Sequence, residues 1–290
     1  MKRKLKILSV LMMLAVLVMV SGCADQDPTV DMGTDEATIG YVLWDGEIAS
    51  TNVMKVVLEE AGYDVDIIAV DAGAMYQGLA DGHFDFITSA WLPQTHKNYW
   101  ERYGDDIESV AINLEDCRIG LVVPTYVTID SIEELNDHKE EFGSEIIGID
   151  PGAGIMSTTE TAIDEYGLEY DLTSSSSAGM AASLRRSIDS EEWTVVTLWS
   201  PHWTFETYEL KYLEDPKGTY GEADHVETLA RAGLQEDDPR LYEIISRFKW
   251  THDDIQSVMA DLADGMSEED AARKWVDNNP EKVSEWIGTE

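Results

Sequence analysis

The chain has 290 residues, of which 58 are acidic and 20 basic, giving a formal net charge of −38 at pH 7; 43% of its residues are apolar. So large an acidic excess excludes nucleic acid as a partner and repels anionic substrates at long range. The apolar fraction is ample for a large buried core, with two lobes as the expected organisation at this length.

Residues 1–22 begin with Lys2, Arg3, Lys4 and Lys6 and continue as an apolar run from Ile7 to Val20. The run is shorter than the ~20 apolar residues needed to span a bilayer, so it is expected to be a signal peptide. It ends in Val20-Ser21-Gly22-Cys23, which resembles a bacterial lipobox with Cys23 as the lipidated first mature residue. The protein is therefore expected at the cell membrane, lipid-anchored on its extracytoplasmic face. The signal takes away four basic residues and no acidic one, leaving 16 against 58, a formal charge of −42. Residues 23–36, acidic and poor in apolar side chains, are expected to form a flexible linker. With Cys23 lipidated, Cys117 has no disulfide partner; it lies between Asp116 and Arg118 and is predicted to be a half-buried structural thiol.

From there strands and helices alternate. The pattern predicts strands at 37–43, 65–70, 84–90 and 118–123, with helices at 47–62 and 75–82, an arrangement that implies a parallel α/β lobe. A second lobe follows, with helices predicted at 131–136, 158–166 and 178–189 and strands at 145–149 and 194–198. Beyond Trp203 the chain is predicted to be mostly helical, at 238–248, 251–264, 267–278 and 280–286. Lobe I is assigned to 37–121 plus 211–290 and lobe II to 122–210. The predicted fold class is α/β, a two-lobed type II periplasmic-binding-protein-like fold with a ligand cleft between the lobes. Ligands of such folds lie at the carboxyl ends of parallel strands.

Two features mark the site. Asp150-Pro151-Gly152-Ala153-Gly154-Ile155-Met156 follows an apolar strand and precedes a Ser/Thr-rich helix start at Ser157-Thr158-Thr159. A Gly-rich turn opening a helix leaves amide N–H groups free to receive an anion. Trp44, Trp91 and Trp199 each end an apolar run, and His96 stands five residues beyond Trp91. A quaternary ammonium has no N–H to donate, so aromatic faces are what can hold its diffuse charge. A buried carboxylate, by contrast, needs hydrogen-bond donors. His202 and Trp203 rank behind His96 and Trp199. An enzymatic reading, with Ser157 or Ser174–Ser177 as nucleophile, finds no G-x-S-x-G elbow, no H-E-x-x-H and no Cys/His spacing typical of a metal site; neither metal nor cofactor is expected.

Several stretches resemble the glycine-betaine-binding proteins of osmoregulatory ABC importers: Ile39–Trp44 with Glu47–Asn52, Ala90-Trp91-Leu92-Pro93-Gln94-Thr95-His96, Asp150–Ile155, Thr197–Trp203 and Leu210–Lys217. The likeness runs from about residue 37 to the end. It implies a box of Trp44, Trp91 and Trp199 around a trimethylammonium group, with the ligand carboxylate held by the amides of Gly154 and Ile155 and by His96. It also implies permease subunits of an ABC importer as partners. The alternative within the same architecture is a choline or carnitine binder; Asp45 and Glu47 could complement the net positive charge of choline.

Overall fold

Alternating and wholly apolar runs set nine strands within residues 36–289, the part of the chain that the computed structural model describes. The expected signal, Cys23 and all of the linker but Glu36 lie outside those residues. In chain order the strands are β1 (Glu36–Tyr41), β2 (Asp64–Ala69), β3 (Phe86–Leu92), β4 (Ile107–Pro124), β5 (Glu145–Ile147), β6 (Asp171–Thr173), β7 (Val196–Ser200), β8 (Leu210–Tyr212) and β9 (Asp224–Arg231). The helices are α1 (Asp45–Glu60), α2 (Ala72–Ala80), α3 (Lys97–Tyr103), α4 (Gly154–Tyr166), α5 (Ser177–Asp189), α6 (Thr204–Thr207), α7 (Leu234–Asp237), α8 (Pro239–Arg247), α9 (His252–Ala263), α10 (Glu268–Asn278) and α11 (Pro280–Ile287). A 3-10 turn at Ile132–His138 takes the place of the helix expected near 131.

The hydrogen-bonded path runs β2-β1-β3-β9-β4-β7-β5-β6, with β8 added to β4. Only part of it is parallel: β1 with β2 and β3, and β5 with β6 and β7. β9 is antiparallel to both β3 and β4, and β4 is antiparallel to β7 and β8. The sheets are therefore mixed, where an all-parallel first lobe was predicted. β4 pairs with β9 as far as Cys117 and with β7 from Arg118 onward, so one 18-residue strand passes from the first sheet into the second.

The strand expected at 118–123 is present as the last third of β4, which begins well before it, at Ile107. The segment after 213, expected to be helical, contains β9. Asp224, at the start of β9, is buried rather than solvated.

Local chemistry explains the helix ends. α9 opens with a capping box between Thr251 and Asp254, and α8 with Asp238 as N-cap and Pro239 in its first turn. α4 stops at Gly167, whose φ of 62° is the left-handed conformation that glycine adopts at least cost.

One apolar cluster joins α1 to α8–α11 on one face of the first sheet. A second runs from α2 and β3 across Trp44 and Trp199 into the second lobe. Trp286 anchors the first cluster, stacked on Trp275 at 5.4 Å and edge-on to Phe248 at 5.0 Å. Cys117 is fully buried, and burial pushes its thiol up to about 12, the mark of an inert packing residue. Truncating Trp286 to Ala removes a fully buried ring, and the urea midpoint should fall by the equivalent of about 3–5 kcal/mol. A midpoint within experimental error of the parent's would show that α11 does not anchor this core.

Candidate functional site

The strand β3, FITSAWL, is buried along almost its whole length, and its end delivers Trp91 to the edge of the first sheet. The turn that follows brings His96 back against the Trp91 main chain, whose backbone N–H donates to His96 Nδ1 at 3.2 Å. Tyr76 Oη lies 3.1 Å from the same nitrogen. With Nδ1 accepting, the proton resides on Nε2, so the ring is a neutral donor. Burial holds its pKa far below the usual value, at about 3, so it stays neutral. Asp224 fixes this turn from below, accepting from the Gln94 N–H at 2.8 Å, the Thr95 N–H at 3.0 Å and Thr95 Oγ1 at 2.5 Å.

Trp44 is the extended N-cap of α1. Its Nε1 donates to Asp150 Oδ2 at 3.1 Å. The adjacent Asp45 accepts from Trp203 Nε1 at 2.8 Å and from Ser177 Oγ at 2.5 Å, and its carboxylate stands 3.5 Å from His202 Nε2. Burial alone would raise the Asp45 pKa, but these donors overcome it and bring the value down to about 2. Asp45 is therefore an anion at every ordinary pH, and it is bound to Ser177 of α5 and to Trp203, which precedes α6. Tyr99 Oη, donating to the Gly152 carbonyl at 2.7 Å, makes a further bond across the cleft.

The expected anion cradle is present, with a different start. α4 begins at Gly154 rather than near Ser157, so Gly154 and Ile155 are its first two residues, and no side chain caps them. Their amides are among the orphan donors of a helix N-terminus. A Cβ on Gly154 would stand 1.9 Å from the Thr95 carbonyl oxygen, so only glycine allows the two backbones to approach this closely.

All six residues singled out in the sequence, Trp44, Trp91, Trp199, His96, Gly154 and Ile155, line one cavity with about 410 Å³ of empty space. Trp199 lies within β7 rather than beyond it, and His202 meets it edge-on at 4.9 Å as a buried support. Trp203 sits outside the cavity, tied to Asp45. Trp250, Trp275 and Trp286 pack together in the first-lobe core, as their helical patterns suggest.

Sequence reasoning did not assign Thr95, Ile119, Ile149 and Ala153 to the wall. Asp224 and its three donors were likewise not foreseen. Glu47, raised only as a partner for a cationic ligand, also lines the cavity. It is wholly buried, its Oε2 accepts from the Val42 N–H at 2.6 Å, and its Oε1 has no partner. Burial pushes its pKa up to about 8, an effect tempered by the neighbouring Ser89 hydroxyl and the Val42 amide.

Known proteins resemble this arrangement. Residues 35–278 match the OpuAC family model, described as the substrate-binding domain of an ABC-type glycine betaine transport system. The glycine betaine/carnitine transport binding protein of Listeria monocytogenes is 42% identical over 162 residues, 55% of this chain and 54% of that one. The match thus spans about half the length of this curated relative. Lactococcal OpuAC, in its closed conformation with glycine betaine, superposes with a TM-score of 0.84 at 38% identity, over 87% of this chain and 99% of that chain. The glycine/betaine/L-proline-binding protein of Borrelia burgdorferi gives a TM-score of 0.84 at 42% identity, over 87% and 96% of the two chains. With the family model covering most of the chain and the two-lobed fold shared at this level of identity, the protein belongs to the OpuAC family of ABC-type substrate-binding domains.

Proposed function

We propose that this protein is an extracytoplasmic receptor that captures glycine betaine, or a closely related trimethylammonium zwitterion, and presents it to the permease of an ABC importer for osmoprotection. It acts by binding, with no chemical step. The observation that carries this reading is the division of one cavity into three indoles and a set of neutral donors. Each indole face contributes up to about 2 kcal/mol to a desolvated cation. The Gly154 and Ile155 amides and His96 Nε2–H offset the cost of burying the ligand carboxylate. Choline, which lacks a carboxylate, would leave those donors unused. Carnitine would keep them in use, and the Listeria relative is named for both betaine and carnitine.

We further infer that Cys23 carries the lipid that tethers the protein to the outer face of the cell membrane. We take lobe I as residues 37–121 plus 211–290 and lobe II as residues 122–210. On that division Trp44, Trp91 and His96 belong to one lobe and Trp199, Gly154 and Ile155 to the other, so the site is complete only when the lobes meet. Ligand then shifts an open–closed equilibrium by its preference for the closed form.

Calorimetric titration with glycine betaine tests the assignment. Trp91→Ala and His96→Ala should each weaken binding by about 1–3 kcal/mol, a loss of roughly fivefold to 150-fold. If Trp91→Ala binds as tightly as the parent, the box is misassigned. His96→Ala should weaken choline far less than betaine, since choline presents no carboxylate. Closure has its own test: the radius of gyration of the parent should fall at saturating betaine, whereas Gly154→Ala, whose methyl meets the Thr95 carbonyl, should stay expanded. Equal contraction in both proteins would argue against closure at this contact.

A further inference from the structure

Glu47 is a charged residue type in an apolar site with no cation beside it. The ring-lined cavity and a second one behind it, with about 320 Å³ of empty space, share Gly46, Glu47, Trp91 and Trp199 as their common wall. Glu47 Oε1 and the Ser89 hydroxyl stand as neighbours at that wall, and neither has a partner within hydrogen-bonding distance. Deep burial of an unpartnered carboxyl oxygen is costly, and a site that keeps one has a use for it.

Among the described residues, the surroundings offer Glu47 no resident positive charge. On α1 itself, Asp45 is committed to Trp203 and Ser177. α2 contributes Tyr76, whose pKa is raised well above normal, chiefly by burial and also by the Glu47 charge. The turn after β3 contributes His96, which is neutral. β9 contributes Glu227, which is bonded to His225 and Ser109. β3, β4 and α9 line the rear cavity with the uncharged Thr88, Ser89, Asn113 and Ile255.

Resting on the betaine reading above, we propose that Glu47 is the counter-ion of the bound trimethylammonium group: it waits as a neutral acid in the empty site and surrenders its proton as the cation seats against the three rings. In that step the O–H bond of the carboxyl group breaks, its electron pair stays on the carboxylate, and the proton passes through the open cleft to a buffer base. The elevated pKa of about 8 agrees with a neutral acid in the unliganded protein at pH 7. A permanent cation in the same cavity favours the ionised form. Proton release on binding makes affinity rise with pH across the window that lies below the empty-site value and above the occupied-site value. The ligand carboxylate acts with the opposite sign, since it would favour proton uptake by His96, so the direction of proton flow separates the two groups.

The test is betaine titration at pH 7 in several buffers of different ionisation enthalpy, followed by titrations from pH 6 to 8. For the parent, the apparent enthalpy should depend on the buffer with a slope approaching one proton released per betaine, and affinity should climb by up to about tenfold per pH unit. Glu47→Gln keeps a carbonyl oxygen for the Val42 N–H. It should bind betaine with no buffer dependence and with a level pH profile. Betaine binding by the parent with no proton released, or with net uptake, overturns the proposal and leaves the betaine reading intact. Equal release by Glu47→Gln also overturns it. Absence of any binding heat, with closure unchanged by betaine, would overturn the ligand reading and this proposal together.

Discussion

Closure hangs on two consecutive residues at the start of α1. Trp44 gives its face to the cavity and its N–H to Asp150, while Asp45 grips Trp203 and Ser177 on the far side of the cleft. One helical turn thus supplies both a wall of the binding site and the tie that holds the site shut. Three side chains, those of Trp203, Ser177 and His202, converge on the Asp45 carboxylate and hold it ionised. Hydrogen bonds to charged groups contribute about 1.5–3 kcal/mol, enough to favour the closed form without making it permanent. Ligand recognition by rings and amides depends on excluding water, and that depends on this tie.

The packing falls into two clusters. The cluster built by α1 and α8–α11 lies on the face of the first sheet away from the cleft. The other cluster crosses the cleft through Trp44 and Trp199. Trp91 packs against both clusters, whereas His96 contacts Trp44, Tyr76 and Tyr99, which belong to the second. β4 runs through both sheets and joins them by one continuous strand.

How far the site was legible in the sequence follows from what each residue depends on. Trp44, Trp91 and Trp199 could be singled out because each ends an apolar run, and Gly154 because it lies in a Gly-rich turn before a helix, whereas His96 and Ile155 drew their roles from the resemblance to glycine-betaine-binding proteins. β9 could not, because its acidic and polar residues at Asp224, His225 and Glu227 read as solvated surface until β3 and β4 are seen on either side of it. The burial of Asp224 depends on three donors about 130 residues away in sequence. Glu47 shows the same limitation: its place in a helical first turn was plain, but its enclosure depends on packing from β3, β4 and α9. The start of α4 was misplaced because glycines read as a loop, whereas here Gly154 is helical and small because another backbone presses on it.

On the proposed reading, the end of the cavity that takes the carboxylate is made of the Gly154 and Ile155 amides and the His96 side chain. Amides cannot be exchanged by substitution, so single mutations weaken this end chiefly through His96 and through Gly154, whose smallness lets the backbones meet. The indole end has no such protection, since each ring can be shrunk, removed or replaced one codon at a time. On the proposed reading, single substitutions at Trp44, Trp91 or Trp199 retune the fit of the ammonium head group, while the amides at the other end go on asking for an acid group.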